Sequence, residues 1–480
     1  MTVEEISASV TSRHLNRHVY YMAATFVVAD ALAVMACFGF GFFVVNAYDL
    51  DIINFKSFVT YWPYLPAFIA VFFGIHLYPG IALAPAEELR RFGIASFFGH
   101  MGIVLSLYLD ERQITPYSVA FALSWLVSVP GLVVGRNLAR ALCSKARWWG
   151  VPAVIFGAGR TGRMVVDRLR KHAWIGYRAV AMLDDDPAVG ESYAGVPVLH
   201  GTEQGPELAA ALRVRTAIVA MPGVERQRLS RIIGASVSAY RYQVLIPDFF
   251  GMTNLWMSVR DFDGVLGLSS SQKLLLPANR VIKRALDVVL SLLIGLLISP
   301  FVLVVALLIK LESPGPAFFG HARLGKDGKP FKSWKFRSMV RDSQRVLKEL
   351  LERDPAARAE WEANFKLKND PRVTKIGAFL RKTSLDELPQ LWNVLLGEMS
   401  LIGPRPIIAD EVPKYGEYYK TFASVLPGLS GLWQVSGRSE LDYDERVALD
   451  IYYIQSWSLW LDLHIFMKTI GVVLHGKGAY

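Results

Sequence analysis

Residues 285–309 read ALDVVLSLLIGLLISPFVLVVALLI, an apolar run of 25 residues, and how it lies in a membrane decides the fold of all that follows. Its length suits a bilayer-spanning helix, which needs roughly 20 residues. Its flanks argue against crossing. Lys273, Arg280, Lys283 and Arg284 precede it, and Lys310, Arg323, Lys326, Lys329, Lys332, Lys335 and Arg337 follow. Basic residues beside a span favour the cytoplasm, so both ends belong there. Ser299-Pro300 lies inside the run, and proline removes a backbone donor and bends a helix. The expectation is therefore a re-entrant element over about 284–310, broken at Ser299 and Pro300, that enters one leaflet and returns by the same face. Carbonyls freed by the break need cover from protein or from the Ser299 hydroxyl. The alternative, a straight fifth span kinked at proline, would put the rest of the chain outside the cell.

Upstream lie four more apolar stretches, 20–46, 60–83, 92–109 and 117–135, each long enough or nearly so to cross. Arg13 and Arg17 precede the first, Arg90 and Arg91 separate the second and third, and Arg136, Arg140, Lys145 and Arg147 follow the fourth. Both ends of this bundle are therefore expected in the cytoplasm. No ionisable residue sits mid-span except Asp30 and His100, too few for a transport path, so the bundle reads as an anchor. The composition agrees: hydrophobic residues make up 52% of the chain and mean hydropathy is +0.30. A net charge of +10 suits an anionic membrane face and phosphorylated substrates. No nucleic-acid recognition module accompanies it, so nucleic acid is not an expected partner. Cys37 and Cys143 are too few for a disulfide framework and lack metal-ligand spacing. The polar start does not read as a removable signal peptide.

The texture changes at Val151. VPAVIFGAGRTG reads as a buried strand, a turn at Gly157, Gly159 and Gly162, and then a helix. AVAMLDDD, TAIVAMP and YQVLIPD supply three more strands. Strands alternating with helices predict a parallel, Rossmann-like sheet. The glycine spacing, with Asp184–Asp186 about 20 residues on, matches a dinucleotide fingerprint, so those glycines are candidates for a nucleotide ligand. A membrane-bound nucleotide-sugar dehydratase is the rival, but no Tyr here has Lys four residues later, the pair those enzymes use. The domain is read as regulatory or oligomerising.

The last third holds KTSLDELPQLWNVLLGEMSLIGPRP, Lys382–Pro406. Ser384 and Glu387 have capping-box spacing, with a helix expected to run to Gly397 and Pro389 in its first turn. On that reading Glu387 is a cap and Asp386 merely favours the helix start. The same pair can serve as nucleophile toward phosphorus and as Mg²⁺ ligands. Arg381, Arg405 between two prolines, and Arg438 suit phosphate, which a guanidinium grips at two points. Residues 342–367 read as charged helices split at Asp354-Pro355, a solvated or dimer-packing insertion, which puts a homodimer among the candidate assemblies. Trp433, Trp457 and Trp460 suit either a membrane interface or a core.

The chain resembles the bacterial polyprenyl-phosphate hexose-1-phosphate transferases in their long form with four leading spans. In particular it is similar to the undecaprenyl-phosphate galactose or glucose phosphotransferases. The motifs are KRALD, ISP, GHARLGKDGKPF, WKFRSM, LKNDPR, TSLDELPQLWNVL, MSLIGPRP, PGLSGLWQVSGR and the terminal GAY. The resemblance implies a ping-pong reaction at the inner membrane, with UDP-hexose and undecaprenyl phosphate as substrates and UMP released. Asp386 would be the nucleophile, Glu387 would assist with Mg²⁺ or position the lipid phosphate, and Lys283 and Arg284 would sit at headgroup level. The expected architecture is a membrane protein, α plus α/β. It comprises a four-span bundle at 1–145, a Rossmann-like cytoplasmic domain at 146–255 and a mainly helical transferase domain at 256–480. A non-catalytic scaffold for glycan assembly would show a degraded carboxylate–arginine set, and this one is intact. A flippase would need more polar residues within the spans.

Overall fold

A computed structural model of the chain describes all residues except 1–2, 10–16, 49–62, 147, 173–174, 247–256, 263–264, 271–272, 355–357, 359–369, 438–440 and 476–480. Two compact units form, Met1–Phe249 and Phe250–Tyr480.

The first unit begins with the short α1 (Val3–Ser9) and a bundle of α2 (His18–Tyr48), α3 (Tyr64–Gly74), α4 (Pro85–Glu111) and α5 (Pro116–Cys143). Helices α2, α4 and α5 are long and apolar enough to cross a bilayer. The second expected span is corrected. Helix α3 has 11 residues, about 16 Å at 1.5 Å each, against a hydrocarbon core of about 30 Å. Its expected start, 60–62, lies outside the described residues. Beyond Gly74 the chain turns through His76 at φ 57° and Pro79-Gly80, which cannot prolong a helix. Arginines cover the carbonyls freed there: Arg91 donates to Ile75 at 3.1 Å and Arg136 to Leu77 at 3.3 Å.

Arg136 is wholly buried. Its guanidinium meets Asp30 of α2 and Glu88 of α4, each at 2.7 Å, and lies over the rings of Phe26, Tyr78 and Phe92. Tyr78 donates to Asp30 at 2.8 Å, and Arg140 pairs with Glu88 at 2.7 Å. Burial in a low dielectric demands such pairing.

The sheet that follows has the strand order β3-β4-β2-β1-β5-β6. Its strands are β1 (Val151–Phe156), β2 (Tyr177–Asp184), β3 (Ser192–Tyr193), β4 (Val196–His200), β5 (Thr216–Val219) and β6 (Tyr242–Leu245). All pair in parallel except β3, which is antiparallel to β4. Helix α6 (Arg160–Lys171) covers one face, and α7 (Gly205–Leu212) and α8 (Arg226–Ala235) cover the other, where Val3 and Ile6 of α1 are also buried. Six strands stand where four were expected, because β3 and β4 are short and joined by a two-residue turn, Ala194-Gly195, both at positive φ. The glycine turn is sterically required: a Cβ on Gly157 would lie 2.6 Å from the Ala220 oxygen, and one on Gly162 would lie 1.9 Å from the Gly157 oxygen. Within the turn, Asp184 accepts from the Ala158 N–H at 2.6 Å, so this acid already has a partner in the loop.

The second unit opens with the antiparallel hairpin β7 (Met257–Phe262) and β8 (Val265–Ser270). Then comes α9 (Pro277–Glu312), 36 residues of unbroken helix. The helix continues through Ser299-Pro300 instead of separating into two helices there, and a proline inside a helix leaves room for a bend. Pro300 lacks the N–H that would reach the Leu296 carbonyl, and the Ser299 hydroxyl donates to that oxygen at 2.9 Å instead. After it lie the hairpin β9 (Phe318–Leu324) and β10 (Pro330–Phe336), then α10 (Ser343–Arg353), α11 (Lys375–Thr383) and α12 (Gln390–Leu396). The parallel pair β11 (Ser400–Ile402) and β12 (Gly428–Ser430), α13 (Tyr443–Ser456) and α14 (Leu459–His475) complete it. Helix α10 ends before Asp354, as the charged insertion predicts. Most of that insertion's second half, and the terminal GAY, lie outside the described residues. Trp433 and Trp457 are buried, which favours the core reading for both.

Candidate active site

Asp386 and Glu387 sit on a single 3₁₀ turn, Leu385–Glu387, between α11 and α12. The capping box expected at Ser384 does not form. Ser384 has φ 56°, the left-handed residue that ends α11, and its side chain caps nothing. A non-glycine residue there costs about 1 kcal/mol, strain of the kind found at functional turns. Helix α12 starts after Pro389 and stops at Gly397, close to the expected end.

Three contacts fix the turn against the β9–β10 hairpin. Gly377 of α11 lies so close to Ser338 that a Cβ would come within 2.1 Å of its carbonyl oxygen. Arg381 donates to the Ser338 hydroxyl at 2.8 Å. Buried Asn393 of α12 donates to the Lys332 carbonyl at 2.7 Å and accepts from the Trp334 N–H at 3.0 Å. Lys335 on β10 is thereby aimed at the carboxylates. Its Nζ lies 2.5 Å from Glu387 Oε1 and 4.0 Å from Asp386 Oδ2. The Asp386 side chain is only 15% exposed, and burial raises its pKa above the usual carboxylate range; Lys335 pulls it down and Glu387 pushes it up.

Arg381 and Arg405 reach this part of the unit; Arg438 lies outside the described residues. Arg381 acts on Asp386 as a nearby positive charge, and Arg405 lies over the Trp433 ring at 5.6 Å. Lys283 and Arg284, expected at phosphate, are turned to protein. Lys283 pairs with Asp462 at 2.7 Å, and Arg284 donates to the Val394 and Leu395 carbonyls at the end of α12. Lys335, Asn393 and Ser338 were not singled out by sequence. The one available signal was strand alternation in FKSWKF, which puts Lys335 and Ser333 on one face. Among the described residues no group of three or more His, Cys, Asp or Glu could hold a metal ion. Two adjacent carboxylates fit Mg²⁺, which needs one or two plus substrate phosphates and water.

Residues 278–476 match the family described as bacterial sugar transferase. The chain is 41% identical over 397 residues, 82% of each chain, to the undecaprenyl-phosphate galactose phosphotransferase of Salmonella typhimurium. The chain belongs to the bacterial sugar transferase family. The UDP-glucose:undecaprenyl-phosphate glucose-1-phosphate transferase of Escherichia coli is 36% identical to this sugar transferase over 374 residues, 75% of this chain and 76% of that one. The exopolysaccharide production protein ExoY of Sinorhizobium fredii is 46% identical over 204 residues, 42% of this chain and 90% of its own length. Residues 85–236 of this sugar transferase match a family described as a CoA-binding domain, a span that takes in α4, α5 and most of the parallel sheet.

Proposed function

We propose that this chain transfers galactose- or glucose-1-phosphate from a UDP-hexose to undecaprenyl phosphate and releases UMP. The step would take place at the cytoplasmic face of a bacterial inner membrane and begin O-antigen, capsule or exopolysaccharide synthesis. The Asp386–Glu387 pair, held on a strained turn beneath Lys335 within the matched segment, carries this reading. An Asp386 oxygen attacks the β-phosphorus, the bond to the bridging oxygen breaks, and UMP leaves with the electron pair. An oxygen of undecaprenyl phosphate then displaces Asp386 from the same phosphorus. One phosphoanhydride replaces another, so no further energy source is needed. Mg²⁺, held by Asp386 and Glu387 with the diphosphate, would neutralise charge on the transferring group. Lys335 and Arg381 offset the same charge from the protein side.

Helix α9 supports the re-entrant reading. Its first turns are tied to this unit through Lys283 and through Asp287, which accepts from the Ser400 hydroxyl at 2.7 Å. Its last turns return to the same unit, with Ile309 packed with Phe336 and Leu380 and Glu312 accepting from the Lys375 N–H at 2.7 Å. Between these, Leu296 and Leu297 are 77% and 80% exposed, as lipid contact requires.

The test is purified protein with Mg²⁺, undecaprenyl phosphate and a panel of UDP-hexoses, following UMP and lipid-linked sugar. Product from one UDP-hexose, lost in Asp386→Asn, is the expected result. Full activity in that variant would remove the catalytic assignment.

A further inference from the structure

A double displacement on one phosphorus constrains where two phosphates go. Entering and leaving oxygens lie roughly in line across the phosphorus. Asp386 enters in the first step and leaves in the second. The UMP phosphate and the lipid phosphate must therefore each stand on the side opposite Asp386.

We propose that Arg446, with Arg323 and Arg405, forms one phosphate pocket used first by the leaving nucleotide and then by the polyprenyl phosphate, a proposal that rests on the covalent reading above. Arg405 and Arg446 both lie against the Trp433 ring, their guanidinium carbons 5.6 Å and 5.0 Å from its centre. Arg323 joins them from β9. It donates to the Pro406 carbonyl at 3.3 Å, and the next residue, Leu324, donates its N–H to the Ile407 carbonyl at 2.8 Å. Burial first, and then the neighbouring Arg405, hold Arg323 below its ordinary pKa, as expected of cations crowded without an anion. Glu411 answers only part of this charge, at 3.7 Å from Arg323.

Two details mark the cluster as built for a ligand. Arg446 Nε is buried and, among the described residues, meets no hydrogen-bond acceptor. Asp450, buried behind the cluster beside the Arg405 main chain, accepts from the Tyr415 hydroxyl at 2.8 Å. Burial pushes its carboxyl up to about 8, so at neutral pH it does not cancel the positive charge of the cluster. The pocket also adjoins the nucleophile: Arg323 lies on the hairpin face that carries Lys335, and it feels the charge of Glu387.

The two half-reactions can be read separately with the full-length protein. Exchange of labelled UMP into UDP-hexose without lipid reports the first step, and transfer to undecaprenyl phosphate reports the sum. Arg446→Gln should slow both by a similar factor, roughly 100-fold, with Arg446→Lys in between and the unfolding temperature unchanged. Exchange at the wild-type rate alongside slowed transfer would overturn the shared pocket and leave the covalent reading intact. If Arg446→Gln does not fold, Arg446→Lys carries the same comparison. Transfer by wild-type protein with no UMP exchange would overturn the covalent reading, and the pocket with it.

Discussion

Burial and Lys335 act in opposite directions on the ionisation of Asp386. Burial raises the Asp386 pKa, Lys335 opposes that rise, and Glu387 adds to it. A carboxylate attacks only when ionised, so activity falls as pH drops through a value above the ordinary aspartate range of about 3.9. Lys335→Ala removes the leading opposing charge, and the acid limb of kcat/KM should move to higher pH. Activity should also fall by roughly tenfold or more through lost charge stabilisation. A pH–rate profile checks both, and an unmoved acid limb would show that Lys335 serves only to hold Glu387. At this scale the carboxylates were legible because TSLDELPQLW is distinctive in itself. Lys335 was not. Several basic residues crowd GKPFKSWKFR, and which of them meets the acids depends on where Asn393 pins β10, a contact about 60 positions away in sequence. Ser384 misled in the opposite direction, since its spacing to Glu387 suits a cap but its backbone is left-handed.

One guanidinium adds polar ties between helices of the bundle that are otherwise packed through a large apolar core. Arg136 binds Asp30 and Glu88 at 2.7 Å each and so ties α5 to α2 and α4. Removing one partner of a buried ion pair leaves charge uncompensated, at a cost of roughly 3–5 kcal/mol. Arg136→Met should therefore lower the unfolding temperature in detergent sharply, and adding Asp30→Leu should restore much of the loss. An unchanged midpoint in Arg136→Met would mean that the network contributes nothing net. The sequence placed Asp30 within a span and Arg136 at a span's end, but their partnership crosses 106 positions and has no local signature. Hydropathy likewise counted 60–83 as a crossing because it measures composition, whereas Gly74 and Pro79-Gly80 decide where the helix stops. Helix α9 shows the complementary case, a proline absorbed because the preceding serine serves the carbonyl it strands.

For the whole molecule, the distribution of chemistry between the two units predicts which can be spared. Asp386, Glu387, Lys335, Arg381, Arg323, Arg405 and Arg446 all belong to Phe250–Tyr480. That unit has its own hydrophobic cluster around Val305, Ile309, Phe336 and Leu380. ExoY of Sinorhizobium fredii aligns over 90% of its length with only 42% of this chain, so a family member has little room for a counterpart of the first unit. The first unit has a bundle core and two sheet-face clusters of its own, and its glycine turn is already served by Asp184. A compact unit with its own core can fold alone. The fragment 250–480, placed in lipid nanodiscs, should therefore transfer hexose-1-phosphate with kcat/KM within about tenfold of the full chain, a difference under about 1.4 kcal/mol in transition-state free energy. A fragment that is folded by circular dichroism yet inactive would mean that the bundle or the sheet completes the active site. It would also mean that the long form of this family uses its first unit for more than anchoring.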